Sequence, residues 1–366
     1  MARKLKSDRI LFLATILLVG LSVVMVYSAS AMLAQERYQQ PYLFLTKQAM
    51  WALLGLACLG VVMRVDYRTY REPTFIWTCL GVVAVGLVAV LFSPPVNNAR
   101  RWLALGGLGI QPSELAKLGA IFFIAALLER RMHRINEVSY SLVPIGIVVG
   151  LLVALILLEP DFGTSVTLVL IAAMMVFAAG LNYTYIGTAA VALVPLVAII
   201  AVAEPYRRSR LLAFMNPWDD PYNTDFQIIQ SLLAVGTGGI SGRGLMNGVQ
   251  KLFYLPYPHT DFIYAVISEE LGLIGASLVL VCFCVIAWRG LRVALEAPDK
   301  FGALLATGLT TMVAAQALVN ISVVLGLVPT KGIPLPFVSA GGSSLLINLL
   351  GMGVLLNVSQ HASSEA

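Results

Sequence analysis

Apolar runs of about twenty residues, repeated from one end of the chain to the other, most narrow what this sequence can fold into. A backbone crossing hydrocarbon must satisfy its own polar groups, and a helix of about 20 residues spans the bilayer core. Ten such runs are read, at 9–34, 42–63, 73–92, 112–130, 139–158, 162–180, 183–203, 262–288, 301–326 and 341–358. The chain is 59% hydrophobic and 12% charged, where soluble domains carry about 25% charged residues. The expected fold is therefore an all-α polytopic membrane protein with ten transmembrane helices. It forms one membrane domain over residues 1–366, with one large extracytoplasmic loop, 204–261, between spans seven and eight.

Lysine and arginine set the orientation. With the N-terminus inside, the inside connections hold Arg3, Lys4, Lys6, Arg9, Arg64, Arg68, Arg71, Arg130, Arg131, Arg134, Arg289, Arg292 and Lys300. The short outside loops hold Arg37, Arg100, Arg101 and Lys331. This contrast puts both termini in the cytoplasm. The net charge of +5 comes without a basic run of the kind that forms a nucleic-acid arm. Cys58, Cys79, Cys282 and Cys284 all lie in apolar runs, and the last two point about 200° apart on a helix, so they read as small buried residues. His133, His259 and His361 are too scattered for a histidine metal site.

The long loop breaks the charge rule, holding Arg207, Arg208, Arg210, Arg243 and Lys251. Guanidinium forks suit phosphate and diphosphate, so an anion-binding outer surface is one reading; the other is that long loops escape the rule. Within the loop, Phe226–Val235 places Gln227, Gln230 and Ser231 on one stripe and reads as a helix at the membrane surface. Gly236-Thr-Gly-Gly-Ile-Ser-Gly-Arg-Gly244 follows, either a flexible turn or a segment that lets backbone approach a ligand. It lacks the Gly-Lys-Ser/Thr ending of a nucleotide phosphate loop.

Polar groups collect at the outer ends of the spans. Gln111-Pro-Ser-Glu-Leu-Ala-Lys117 opens span four, with Pro112 at a first helical position and Glu114 and Lys117 spaced i,i+3 to pair. An unpaired charge at that depth costs about 2.5–3.5 kcal/mol, so the pair faces protein or an aqueous cavity. Asn97-Asn-Ala-Arg-Arg-Trp102 reads as an interfacial anchor or a headgroup-recognition segment. Glu159-Pro-Asp161 forms an outside turn, where polar residues belong in any case. Pro329–Ser344, with Lys331, Ser339 and Ser343, is a proline-stiffened return into the last span, by one reading a helix cap with close packing. Asp261, beside His259 and Thr260, stands where a polar headgroup would meet the protein. The alternatives for it are a general base and a helix N-cap. On an ideal helix Glu269 lies about 80° from Asp261 and Glu270 opposite it, so Glu270 is the better candidate for a contact with a neighbouring span.

Taken together and in order, Ala99-Arg-Arg-Trp102, Gln111–Lys117, Glu159-Pro-Asp-Phe-Gly163, Gln250-Lys-Leu-Phe-Tyr-Leu-Pro256, His259-Thr-Asp-Phe262, Glu269-Glu-Leu-Gly272, Pro329–Ser339 and Gly341-Gly-Ser-Ser344 closely resemble the SEDS family of peptidoglycan glycosyltransferases, FtsW and RodA. The resemblance covers essentially the whole chain. Thr330-Lys-Gly332, and Gly242-Arg-Gly-Leu245 through Lys251, look more like the division branch, FtsW, than the elongation branch, RodA. Tyr257 stands where the family usually has Glu, and Ala340 where it usually has Tyr.

The resemblance implies polymerisation of lipid II, with Asp261 as the catalytic base. The substrate-binding candidates are Arg101, Glu114, Lys117, Arg243, Lys251, His259, Thr260, Lys331, Ser339 and Ser343. No cofactor is firmly implied beyond a divalent cation, Mg or Mn, with the diphosphate. The implied partners are a cognate class B penicillin-binding protein, a single-span transpeptidase, and other divisome proteins. Two readings compete from other classes: a lipid II flippase, and a non-catalytic scaffold. Clustering of the polar residues at the outer edge favours chemistry there over transport.

Overall fold

The computed structural model describes residues 7–95, 100–105, 108–185, 226–252, 254–329 and 332–362, with a few isolated positions between 187 and 218. Most of the expected seventh span, 183–203, and of the loop up to residue 225 lies outside the described residues. Ten α-helices are present among the described residues: α1 (Arg9–Tyr38), α2 (Leu43–Val62), α3 (Pro73–Val90), α4 (Pro112–Arg131), α5 (Val143–Leu158), α6 (Phe162–Ala178), α7 (Phe226–Gly238), α8 (Ile263–Glu296), α9 (Lys300–Val324) and α10 (Gly342–Ser359). One small antiparallel hairpin, Leu103–Leu105 with Leu108–Ile110, precedes α4.

Seven of these helices are long and apolar enough to cross a membrane: α1, α2, α3, α5 with the π turn before it, α8, α9 and α10. The chain is thus a multi-pass membrane protein. Helix α4 has the length, at 20 residues, but carries Glu114, Lys117, Glu129, Arg130 and Arg131. Helix α6 has 17 residues, about 26 Å of helix. Helix α7, with 13 residues, is too short to span. Helix ends follow local chemistry. Asp8 accepts from Ile10 N and Leu11 N at 3.0 Å, Asp299 caps α9 through Gly302 N at 2.7 Å, and Pro112 opens α4 as expected.

Helices α4, α9 and α10 form the centre, and the outer helices turn apolar side chains such as Leu53, Val85, Leu273 and Leu295 outward. The interior holds the polar side chains instead, among them Gln48, Glu114, Lys117, Asn320 and Asn348. This inversion suits a protein bathed in lipid, where polar groups must find partners inside.

Helix α8 departs from expectation twice. It extends to Glu296 rather than 288, because its last turns carry charge that finds partners: Arg289 pairs with Asp8 at 2.6 Å and Arg292 with Glu296 at 2.5 Å. It is also broken at Gly272, whose φ of 65° and ψ of −163° are non-helical. An unbroken helix would bond Leu273 N to Glu269 O and Ile274 N to Glu270 O. Here the glycine-rich segment after α7 inserts between them. Arg243 N and Gly244 N donate to Glu269 O and Glu270 O, both at 3.0 Å; Leu273 N and Ile274 N donate to Gly239 O and Ile240 O at 2.9 and 3.3 Å. These four backbone groups are thereby satisfied within the protein, as a membrane interior demands.

The glycines make this insertion possible. A Cβ on Gly242 would lie 2.1 Å from Glu270 O, and one on Gly272 would lie 2.3 Å from Gly242 N; both residues have positive φ. The segment makes its close backbone approach to α8, and is therefore not a free turn. Helix α7 likewise is more than a surface helix: Ser231 is buried and donates to Val324 O of α9 at 2.8 Å.

Candidate active site

Asp261 lies just before α8, which begins at Ile263 with Phe262 as its N-cap and no side-chain cap bond. Phe262 rather than Asp261 thus occupies the N-cap position. Its surroundings are held by backbone ties to the segment between α9 and α10. Asn320 Nδ2 donates to Asp261 O at 2.8 Å and to Ile333 O at 2.7 Å. Ser339 Oγ donates to Thr260 O at 2.6 Å, and Ala340 N to His259 O at 2.8 Å. The carboxylate packs so closely on Gly332 that a Cβ there would sit 2.8 Å from Oδ2. Gly163 packs on Ile333 in the same way, at 2.9 Å. Three stretches distant in sequence, 159–163, 259–261 and 332–340, thus converge on one place.

The turn between α5 and α6 is built from both sides. Asp161 caps α6, accepting from Thr164 N at 3.2 Å and Thr164 Oγ1 at 2.8 Å, and also from Gln111 Nε2 at 3.1 Å. Gln111 N in turn donates to Ser343 Oγ at 3.1 Å, tying α4 to the first turn of α10. Arg101 donates to the carbonyls of Glu159 and Pro160. Glu159 itself is fully buried, and neither carboxylate oxygen has a hydrogen-bond partner among the described residues. Burial pushes its pKa up to about 8; the Asp161 charge adds to the rise and Arg101 opposes it. At neutral pH Glu159 is thus a neutral acid.

The expected Glu114–Lys117 pair is present, with Lys117 Nζ 2.9 and 3.0 Å from the two carboxylate oxygens. Both side chains are buried, 2% and 0% exposed, so the pair faces protein.

A second buried cluster lies beneath the loop that leads to Asp261. Glu270 accepts from Lys251 Nζ at 2.6 Å, Ser28 Oγ at 2.7 Å and Met246 N at 3.0 Å. Glu269 accepts from Val249 N at 2.8 Å and Gln250 N at 3.1 Å, with Arg243 at 3.8 Å. Both carboxylates are fully buried. The neighbouring-span contact expected for Glu270 is the one to Ser28 of α1. Ideal-helix phasing does not apply to Asp261, because α8 starts after it, and both glutamates turn to the same loop.

Of the sequence candidates, Asp261, Thr260, His259 and Ser339 come together, with Arg101 and Ser343 joined to them through the 159–163 turn. The Ser339 hydroxyl is fully engaged, donating to Thr260 O and accepting from Leu335 N at 2.8 Å. His259 is buried against Phe44, ring centres 4.7 Å apart. Burial, with a smaller contribution from the Arg37 charge, holds its pKa down to about 4, so it is neutral at physiological pH. Lys251 and Lys117 are each engaged by a buried glutamate rather than presented to a ligand. Arg243 is 40% exposed. Lys331 lies outside the described residues. Among the described residues no group of three or more His, Cys, Asp or Glu is placed to hold a metal ion. Sequence reasoning missed Asn320, Ser28 and the cross-link from Gln111. Only the oddity of an amide or hydroxyl deep in an apolar run marks the first two.

The sequence model of one family, described as cell cycle protein and comprising FtsW, RodA and SpoVE, matches residues 8–364. The chain belongs to this family. It is 43% identical over 358 residues to "Probable peptidoglycan glycosyltransferase FtsW" of Geobacter metallireducens, covering 97% of this chain and 95% of that one. It is 41% identical over 369 residues to "Stage V sporulation protein E" of Bacillus subtilis, covering 98% and 99%. Among solved structures it is similar to a chain of a peptidoglycan synthase complex described for its coordination of polymerization and crosslinking, with a TM-score of 0.79 and 30% identity over 96% of this chain and 97% of that one. The Thermus thermophilus rod shape determining protein RodA superposes with a TM-score of 0.71 at 27% identity, over 98% of each chain. An FtsW/RodA family member thus carries its Asp261 at the meeting point described above.

Proposed function

We infer that this FtsW/RodA family protein is a peptidoglycan glycosyltransferase of the septal, FtsW type, which polymerises lipid II into glycan strands on the outer side of the cytoplasmic membrane. The observation that carries the reading is the setting of Asp261, a carboxylate just before α8 that packs on Gly332, in a backbone stretch held by Asn320, Ser339 and Ala340. The likeness to proteins named FtsW over nearly the whole chain supports it.

In this reading Asp261 takes the proton from the 4-hydroxyl of the acceptor N-acetylglucosamine. The freed oxygen pair attacks the anomeric carbon of the N-acetylmuramic acid at the end of the growing chain. The bond to the lipid diphosphate breaks, the diphosphate leaves with its electron pair, and the anomer inverts. A single carboxylate suffices for inversion, because no covalent sugar–enzyme intermediate forms. The leaving charge must be met by cations. Arg101, which donates to two carbonyls, Arg243, 40% exposed and 3.8 Å from Glu269, and Lys331 are the candidates. Lys117 and Lys251 would have to leave their buried glutamates. Mg or Mn, if bound, would be held mainly by the substrate diphosphate.

The topology that goes with this function is ten spans in one domain, 1–366, both termini cytoplasmic and the 204–261 loop outside. The partner is a class B penicillin-binding protein, a reading supported by the similar chain from a complex that couples polymerisation to crosslinking. The test is polymerisation of purified lipid II in detergent with the cognate transpeptidase, comparing wild type with Asp261→Ala and Asp261→Asn. Ladders from wild type that vanish in both folded variants are the expected result. Ladders that persist in the variants remove Asp261 from the mechanism. No ladder from any form, where a control polymerase works, removes the polymerase reading and moves the test to a lipid-flipping assay.

A further inference from the structure

We propose that Asn320 is a positioning residue for Asp261, locking the base to the segment that carries its carboxylate contact. This rests on Asp261 being the general base. Asn320 lies near the end of α9 and is 1% exposed. Its one amide nitrogen supplies both hydrogens: one to Asp261 O at 2.8 Å, one to Ile333 O at 2.7 Å. The second acceptor is one residue from Gly332, which the Asp261 carboxylate touches. A single planar group therefore fixes the distance between the backbone of the base and the wall against which its side chain packs. Ile333 also lies against Gly163 at the start of α6, so the same amide ties the base to the third of the converging stretches.

The geometry fits orientation better than general cohesion. Asn320 Oδ1 accepts no hydrogen bond among the described residues, although it is buried. A group serving only to fill the core would be less costly as an apolar residue. What the amide uniquely supplies is two donors aimed at two carbonyls on separate segments. Neither is in α9, so no helix hydrogen bond stands in for them.

The experiment compares steady-state polymerisation by the full-length protein with its transpeptidase for Asn320→Leu, Asn320→Asp and Asn320→Gln, beside Asp261→Ala. Asn320→Leu removes both donors at similar size, Asn320→Asp keeps the shape without the amide, and Asn320→Gln keeps the amide on a longer arm. Misplacement of a catalytic group by about 1 Å costs about 10²-fold. The expected result is a kcat lowered about 10²-fold in Asn320→Leu and Asn320→Asp with KM within about 3-fold, and at least about 10-fold recovery in Asn320→Gln. The rates are taken per folded enzyme, measured by size-exclusion monodispersity, so loss of folding is not scored as loss of catalysis. A wild-type kcat in folded Asn320→Leu or Asn320→Asp overturns the inference. So does a raised KM at unchanged kcat, which would make Asn320 a substrate contact. If Asp261→Ala stays active, the assignment of the base fails instead, and that result is read independently of the Asn320 series.

Discussion

Replacing Lys251 by Met tests the buried cluster beneath the catalytic loop. The change removes the ammonium 2.6 Å from Glu270 Oε1 and leaves a fully buried carboxylate with Ser28 Oγ at 2.7 Å and Met246 N at 3.0 Å as its remaining donors. Breaking a buried pair from one side costs about 3–5 kcal/mol, because the surviving charge is stranded. Removing both charges, with Lys251→Met and Glu270→Gln together, strands none, and the amide oxygen still accepts from Met246 N and Ser28. The double variant should lose less than about 2 kcal/mol, so the coupling between the two sites exceeds about 1 kcal/mol in the double variant's favour. Reversible denaturation by SDS in mixed micelles measures both differences. Lys251→Met within about 1 kcal/mol of wild type, or a double variant as unstable as the two single changes summed, refutes the argument. That outcome would mean water reaches Glu270.

Three further outcomes follow from the same structure. Glu159 carries a folded pKa near 8, raised above its ordinary value by burial. The folded state therefore holds a proton that the unfolded state has lost, and stability falls as pH rises from about 4.5 through 8. Glu159→Gln should raise the Tm at pH 9 and change it little at pH 5; equal shifts at both values would mean that Glu159 is not held neutral. Gly242→Ala meets Glu270 O at 2.1 Å and a φ of 79°, whereas Gly146→Ala on α5 meets nothing within 4 Å. The first should abolish recovery of monodisperse protein and the second leave it unchanged. Glu114→Gln and Lys117→Met, each breaking a buried pair, should each destabilise by about 3–5 kcal/mol in the same SDS titration, and destabilisation below about 1 kcal/mol in either would show that the pair opens to water.

The sequence by itself located the apolar helices, because a crossing must satisfy its own backbone and so announces itself in about twenty consecutive residues; seven of them are long and apolar enough to cross. Nine of the ten expected spans correspond to helices starting within about four residues of the reading, and the tenth lies largely outside the described residues. Local spacing also determined the Glu114–Lys117 pair and the proline start of α4. Family motifs drew attention to Asp261, and the tertiary structure placed Phe262, not Asp261, at the N-cap position of α8. What spacing left open was decided by residues far apart in the chain. Glu270 and Ser28 are 242 positions apart, Asn320 and Asp261 59. The glycines at 242 and 272 read as a turn and a motif until α8 is seen to break and take the loop into its ladder. A buried polar group must find a partner, but sequence periodicity records only which face is buried, and the choice of partner is made by helix packing.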